Sequence, residues 1–258
     1  MDETAAGACT NPSGAAAHRP SPPALLPART ALSTTGVHLM PPAAVRAHLS
    51  TGPEGWARFA GHWEDLSPDP YAAEQGTRRR RRYGRFALTP ATGELRRLPH
   101  LPFVQPDGSN PLYAAVDRHF DPLTDAFAAD PVLRAVLTLL GRLAGALDSA
   151  PRWNAEVHPF RVVATPHGEG SPTPEGRHRD GVTLVSSLLV GRDNATGGSS
   201  TVCTPGGRAL LTTTLDEPAT LLLSDDRATL HGVSPIRPAD PSRPAHRDVL
   251  VTTLTPAG

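Results

Sequence analysis

The chain has 258 residues, enough for one large domain or two small ones. Its 25 basic residues, all arginine, balance 25 acidic ones, so no overall field favours nucleic acid or an anionic membrane. Two cysteines, Cys9 and Cys203, exclude a disulfide framework and fit a reducing cytosol, and no signal peptide or long apolar span is visible; the expectation is a cytoplasmic protein.

Residues 1–31 are rich in Ala, Pro, Ser and Thr without periodicity and read as a disordered head. Residues 32–258 read as a single domain. A helical buttress covers about 32–150 and a β-rich core about 151–256. Pro42 in the first turn marks a short helix to Leu49, and a second is expected over Glu54–Trp63. The run Arg78 to Arg82 leads into a strand through Leu88, and a Thr92-Gly93 turn makes a hairpin with Leu95–Leu98. Residues 111–148 are expected to be helical. There Asp130 serves as N-cap, Pro131 as first residue, and Leu133, Val136, Leu137, Leu140, Leu143 and Leu147 as one buried face. Beyond Trp153, about seven short apolar runs separated by turn residues predict a barrel or sandwich. The expected class is α+β, mainly β: a double-stranded β-helix, or jelly roll, behind an N-terminal helical layer.

Three His-x-Asp tripeptides occur: His119–Asp121, His178–Asp180 and His246–Asp248. In extended chain, residues two apart share a face, so such a pair presents an imidazole and a carboxylate to one point. His119 falls in the helix-like stretch, and His246 has no histidine after it. His178 is expected to open a strand and is followed by His231, itself beside an apolar run. Two histidines and a carboxylate with open positions opposite form the ligand set of a non-haem Fe(II) oxygenase. The same set also serves catalytic zinc, or no metal at all. Strand context and the absence of a His-Glu-x-x-His helix favour iron.

Several segments, in one order, resemble the 2-oxoglutarate/Fe(II) dioxygenase family that contains L-isoleucine 4-hydroxylase and related free-amino-acid hydroxylases. They are Arg79–Phe86, Pro102–Gln105 with Asn110, Asp117–Leu123, Glu156–Arg161, Pro172–Gly181, Arg192–Gly198, Asp226–Ile236 and Arg247–Val251. The resemblance implies Fe(II) held by His178, Asp180 and His231, with 2-oxoglutarate and O2 as co-substrates. It implies Arg247 as the anchor for the distal carboxylate of 2-oxoglutarate, a guanidinium gripping it bidentately. Arg237 and Arg243 are rivals for that role. The activity implied is hydroxylation of an unactivated C–H bond of a free L-amino acid or a related small molecule, with release of succinate and CO2. Asp180 stands where related halogenases seat a halide, which argues against halogenation. Alternatives are the same chemistry on a carrier- or peptide-tethered intermediate, or a non-catalytic β-barrel binding module.

Candidate substrate residues are Arg161, Arg82, Gln105 and Asn194. Alternation on its strand aims Arg161 into the barrel; the competing reading pairs it with Glu156 or Asp180. Arg82 closes an arginine run that resembles the family's own and serves structure or a substrate carboxylate rather than nucleic acid. Asn194, with Gly197 and Gly198, reads first as turn chemistry and second as a loop approaching the site. His158 and His167 read as ordinary hydrogen-bonding histidines. Oligomeric state is not legible.

Overall fold

The computed structural model describes residues 25–105 and 117–258. Most of the expected head, with Cys9 and Asn110, lies outside the described residues. Among the described residues the first half runs α1 (Leu26–Thr35), β1 (Val37–Met40), α2 (Pro42–Leu49), α3 (Pro53–Gly61), a 3-10 turn (His62–Asp65), β2 (Ser67–Pro68), α4 (Pro70–Glu74), β3 (Arg78–Arg81), β4 (Gly84–Thr89), β5 (Glu94–Arg97), α5 (Asp125–Ala129) and α6 (Pro131–Ala144). The second half is β6 (Trp153–Ala164), β7 (Leu184–Asp193), β8 (Ala195–Gly197), β9 (Ser199–Cys203), β10 (Ala209–Thr214), β11 (Leu221–Asp225), β12 (Leu230–Val233), β13 (Ile236–Pro238) and β14 (Ala245–Pro256).

The large antiparallel sheet runs β1-β11-β7-β14-β6-β3-β2, with β4 on the same edge of β6 as β3 and β5 beyond it. A smaller sheet, β10-β9-β12, packs across its inner face, where Val202 of β9 meets Leu189, Leu222 and Val249. This is the double-stranded β-helix expected, mainly β. No helix among the described residues is long and apolar enough to cross a membrane.

The helices cover the outer face of the large sheet. Asp130 caps α6 by accepting from Val132 N–H at 2.8 Å, and Pro131 fits its first turn, where no N–H partner is needed. The α6 stripe of Leu133, Val136, Leu137, Leu140 and Leu143 is buried against Trp153, Ala155 and Val157 of β6. The helix stops at Ala144 with Gly145 as its C-cap, so Leu147 lies beyond it.

Three boundaries depart from the sequence reading. Leu26 to Ala31, placed in the head, is helical, because Pro27 suits a first turn and Ala28 and Leu32 bury one turn apart. The expected strand through Leu88 is two strands broken at Arg82-Tyr83, where Tyr83 instead exchanges backbone hydrogen bonds with the 121–123 segment. His119 is not helical; it follows Arg118, whose backbone pairs with Phe103, and residues 111–116 of the expected helical stretch lie outside the described residues.

β6 divides the molecule by parity. Trp153, Ala155 and Val157 face the helices, while Glu156, His158, Phe160 and Val162 line an interior cavity. Its partners follow, since paired residues share a face: Arg247 opposite Val162 on β14, and Arg79 and Arg81 opposite Val162 and Phe160 on β3.

Candidate metal centre and its cavity

His178 and Asp180 stand before β7, which starts at Leu184, and not inside a strand as expected. A backbone bridge positions them instead. His178 N–H donates to the His231 carbonyl at 2.9 Å, and His231 N–H donates back at 2.8 Å. The two imidazoles are thereby neighbours, 4.4 Å between ring centroids. Gly181, at φ +79°, turns the chain away after Asp180. Asp226, fully buried, accepts from three consecutive backbone N–H groups: Asp180 at 3.1 Å, Gly181 at 2.8 Å and Val182 at 3.1 Å. One carboxylate thus fixes the whole ligand loop.

The Asp180 carboxylate sits between the rings, 3.7 Å from His178 Nε2 and 3.6 Å from His231 Nε2. His178 Nδ1 lies 3.1 Å from the Gly176 carbonyl, which only accepts. Nδ1 therefore carries a proton, and Nε2 is the ring nitrogen turned toward Asp180 and Glu175. His231 Nδ1 lies 3.6 Å from Asp226 Oδ1, beyond hydrogen-bond distance, and has no hydrogen-bond partner among the described residues. One ligand atom from each of the three residues lies within 4.8 Å of the others. Burial pushes the His231 imidazole down to about 4, so it stays neutral, as a metal ligand must. Burial, and then the Asp180 charge, pushes the Asp226 carboxyl up to about 6. Two imidazoles and a carboxylate beside a cavity fit Fe(II).

Arg247 faces the same cavity. It is 4% exposed, and its Nε and Nη2 have no hydrogen-bond partner among the described residues. Burial, and then neighbouring Arg192, lowers it to about 10. Idle buried guanidinium donors are costly until an anion meets them, which fits a dicarboxylate co-substrate. Gly198, at φ +72°, lets the preceding loop close beside it: a Cβ there would come within 3.4 Å of Arg247 Cδ and 2.9 Å of an Ile236 methyl. The rivals Arg237 and Arg243 pair at the surface with Glu169 and Asp193.

The structure sorts the remaining candidates. Gln105 lines the cavity, its Nε2 donating to Asp180 Oδ1 at 3.0 Å and its Oε1 accepting from Arg118. Arg161, Arg82 and Asn194 do not line it. Arg161 has the parity of the helical face and pairs with Asp248 and Glu64, not with Glu156 or Asp180. Arg82 sits at the break between β3 and β4 and donates to the carbonyls of Asp65 and Pro122. Asn194, at φ +51°, clasps the loop between β13 and β14, its Nδ2 donating to the carbonyls of Asp240, Arg243 and Pro244.

Sequence reasoning missed Asp226, whose partners are backbone groups that no motif displays. It also missed Glu175, whose Oε1 lies 3.4 Å from His178 Nε2. Arg118 carries no role in the sequence reading, Glu156 enters it only as a partner for Arg161, and Arg79 and Arg81 only as members of the arginine run, although all four line the cavity. Period-two alternation through the arginine run was the available signal, since 79 and 81 are buried while 78 and 80 are exposed.

The model of the 2OG-Fe dioxygenase family matches residues 60–253. No curated protein matches the chain. Among solved structures, a bsmA homologue from Methylobium petroleophilum PM1 is 35% identical, covering 93% of this chain and 96% of its own, with a TM-score of 0.82. IDO from Bacillus thuringiensis is 18% identical over 91% of this chain and 100% of its own, with a TM-score of 0.74. The Fe(II)/(alpha)ketoglutarate-dependent dioxygenase TqaL is 21% identical over 90% and 86%, with a TM-score of 0.71. At their identities, the last two show likeness of fold alone.

Proposed function

Because the chain belongs to the 2OG-Fe dioxygenase family, we propose that it hydroxylates an unactivated C–H bond of a free L-amino acid or an amino-acid-derived small molecule. It is a 2-oxoglutarate-dependent non-haem iron dioxygenase, with Fe(II) as cofactor and 2-oxoglutarate and O2 as co-substrates. The motifs shared with L-isoleucine 4-hydroxylase and its relatives support the amino-acid reading.

His178, Asp180 and His231 hold the iron, and Arg247 grips the distal carboxylate of 2-oxoglutarate. When bound, Fe(II) supplies the oxidising chemistry: O2 gives one oxygen atom to succinate, with loss of CO2, and the other to the substrate carbon. The protein's own part is positional. Asp226 holds the ligand loop through three amides, and Gln105 fixes one oxygen of Asp180. The apolar walls, including Val182, Val185, Val249 and Val251, keep water from the reacting carbon.

The observation that carries this reading is Arg247, a buried cation with idle donors in the same cavity as the His-Asp-His group. The test is succinate formation from 2-oxoglutarate by anaerobically iron-loaded protein, given O2 and a panel of free amino acids, beside His178→Ala. Turnover stimulated by one amino acid and absent in the variant supports it. Iron and 2-oxoglutarate bound without turnover on any amino acid would redirect the search to a tethered substrate.

A further inference from the structure

A second cationic region lines the cavity, on the other side of β6 from Arg247. It is built from Arg79 and Arg81 of β3 and Arg118 of the segment that pairs with Phe103. Arg79 is neutralised, its Nε donating to the Asp69 carboxylate at 2.7 Å. Arg81 is not. It is 2% exposed, its Nη2 meets His158 Nδ1 at 2.6 Å, and its Nε has no partner among the described residues. A guanidinium only donates, so His158 Nδ1 is the acceptor and the ring is neutral, the form that its burial also enforces. Among the described residues Arg81 therefore has no anionic hydrogen-bond partner, and the Asp69 carboxylate, bonded to Arg79, acts on it only through space.

What holds Arg81 there is aromatic. Its guanidinium carbon lies 3.6 Å from the Phe120 ring centroid and 4.5 Å from that of Phe160. Arg118 stacks beside it on Phe103 at 4.7 Å, and its donation to Gln105 links it to Asp180. Two guanidinium groups thus surround one aromatic cluster, and one of them, Arg118, is connected to Asp180 through the Gln105 amide. Glu156 also lines the cavity, two residues from His158 on β6, its Oε1 accepting from Tyr83 O–H at 2.5 Å. Burial, with a smaller push from the Asp180 charge, holds its carboxyl above the ordinary range against the Tyr83 hydrogen bond and the charges of Arg85 and Arg81, so a cation beside it would relieve its burial.

We propose that Arg81, with Arg118 beside it, binds a free carboxylate of the organic substrate, and that Glu156 takes the neighbouring ammonium group. The inference rests on the dioxygenase reading of the site and deepens it. A thioester- or amide-tethered substrate offers no charge to Arg81 and leaves it buried against a neutral imidazole. An untethered α-amino acid satisfies both ends and adds no net charge to the cavity. The specificity determinant is then the pair Arg81 and Glu156, with side-chain choice left to the apolar walls.

The test is equilibrium binding by calorimetry to anaerobic protein loaded with Fe(II) and 2-oxoglutarate. The probes are the twenty common L-amino acids, their carboxamides and their N-acetyl derivatives. At least one amino acid is expected to bind, with its carboxamide and N-acetyl form about 10- to 100-fold weaker. Arg81→Met should erase the preference for acid over amide, and Glu156→Gln the preference for free amine over N-acetyl. Both variants should keep the wild-type affinity for 2-oxoglutarate. A carboxamide that binds as well as its acid overturns the proposal, and because that comparison uses the unaltered protein it stands even if Arg81→Met does not fold. Loss of 2-oxoglutarate binding in Arg81→Met would also overturn it, assigning these arginines to the co-substrate. So would protein that binds 2-oxoglutarate but none of the twenty amino acids. Wild-type protein that fails to bind 2-oxoglutarate overturns the dioxygenase reading itself, a distinct result.

Discussion

The tripeptide His-Arg-Asp occurs twice, at 178–180 and at 246–248, and the molecule uses the two copies in opposite senses. In the first, His178 and Asp180 line the cavity and Arg179 does not. In the second, Arg247 lines it, while Asp248 turns to the helical face and pairs with Arg161 at 2.7 Å. The first copy sits in irregular chain, where the bridge to His231 and the Asp226 carboxylate dictate direction. The second sits in β14, where pairing of Arg247 with Val162 of β6 dictates it. Identical residues take different roles because register, not composition, chooses the face.

The largest expected effect comes from removing the same residue type from each copy. Asp180→Ala should weaken iron binding more than about 100-fold and abolish succinate formation, since loss of a ligand exceeds the 10- to 100-fold typical of an outer partner. Asp248→Ala should keep iron stoichiometry and turnover per folded molecule. It should instead lose about 3 kcal/mol of stability, because Arg161 keeps only the exposed Glu64. Iron analysis and urea unfolding of both variants separate the outcomes. Iron loss from the Asp248 variant would mean that the two copies are not functionally distinct.

The middle residues give the next test. Arg247→Met should raise the dissociation constant of 2-oxoglutarate about 10- to 100-fold, the worth of charge-assisted hydrogen bonds. Arg179→Met should leave it unchanged. Arg247→Lys should recover only part of the affinity, because a single ammonium does not reproduce a planar fork. Calorimetry at fixed ionic strength reads all three.

Asp226→Asn sharpens what sets the direction of the first copy. An amide has one accepting oxygen, and its NH2 would face backbone N–H groups that need an acceptor. About a 10-fold loss of iron affinity is expected. Faster hydrogen exchange at the amides of Asp180, Gly181 and Val182 should accompany it. A normal exchange rate there would show that the backbone bridge between His178 and His231 suffices to hold the loop.

The sequence made some of this legible. The α6 stripe, the hairpin after Thr89 and most of the C-terminal strands follow from local periodicity and turn residues. His178, Asp180 and His231 stood out as candidates because chemistry and spacing are both written in the chain. Facing was less accessible. Strand alternation alone aims Arg161 inward, yet the parity of β6 is set by Trp153, Ala155 and Val157 packing under α6, a contact between distant segments. Five consecutive arginines display no parity of their own: the strand breaks beside Arg82, while Arg79 and Arg81 carry the inward parity. Asp226 escaped notice because a carboxylate that binds backbone amides leaves no trace in residue spacing. The strand β1 is four residues long and exists through pairing with β11, nearly two hundred positions later.

The smallest effect tests that parity on β6 itself. His158 faces the cavity wall, 3% exposed, and burial holds its imidazole well below the ordinary 6.5. The folded protein keeps the ring neutral, while the unfolded chain protonates it near 6.5. Below that pH the unfolded state therefore binds one more proton than the native state, and stability falls as pH falls. The slope is about 1.4 kcal/mol per pH unit once pH is below 6.5. In His158→Asn the amide oxygen still accepts from Arg81, so the contact survives and the titration does not. Urea midpoints at pH 7.5 and pH 5.5 should drop further in the parent protein than in the variant, by one proton's worth. Comparing the two slopes cancels the other histidines, which both proteins share. Equal slopes would show that His158 titrates in the folded state as it does in water, and that the even face of β6 is open to solvent rather than sealed behind Arg81.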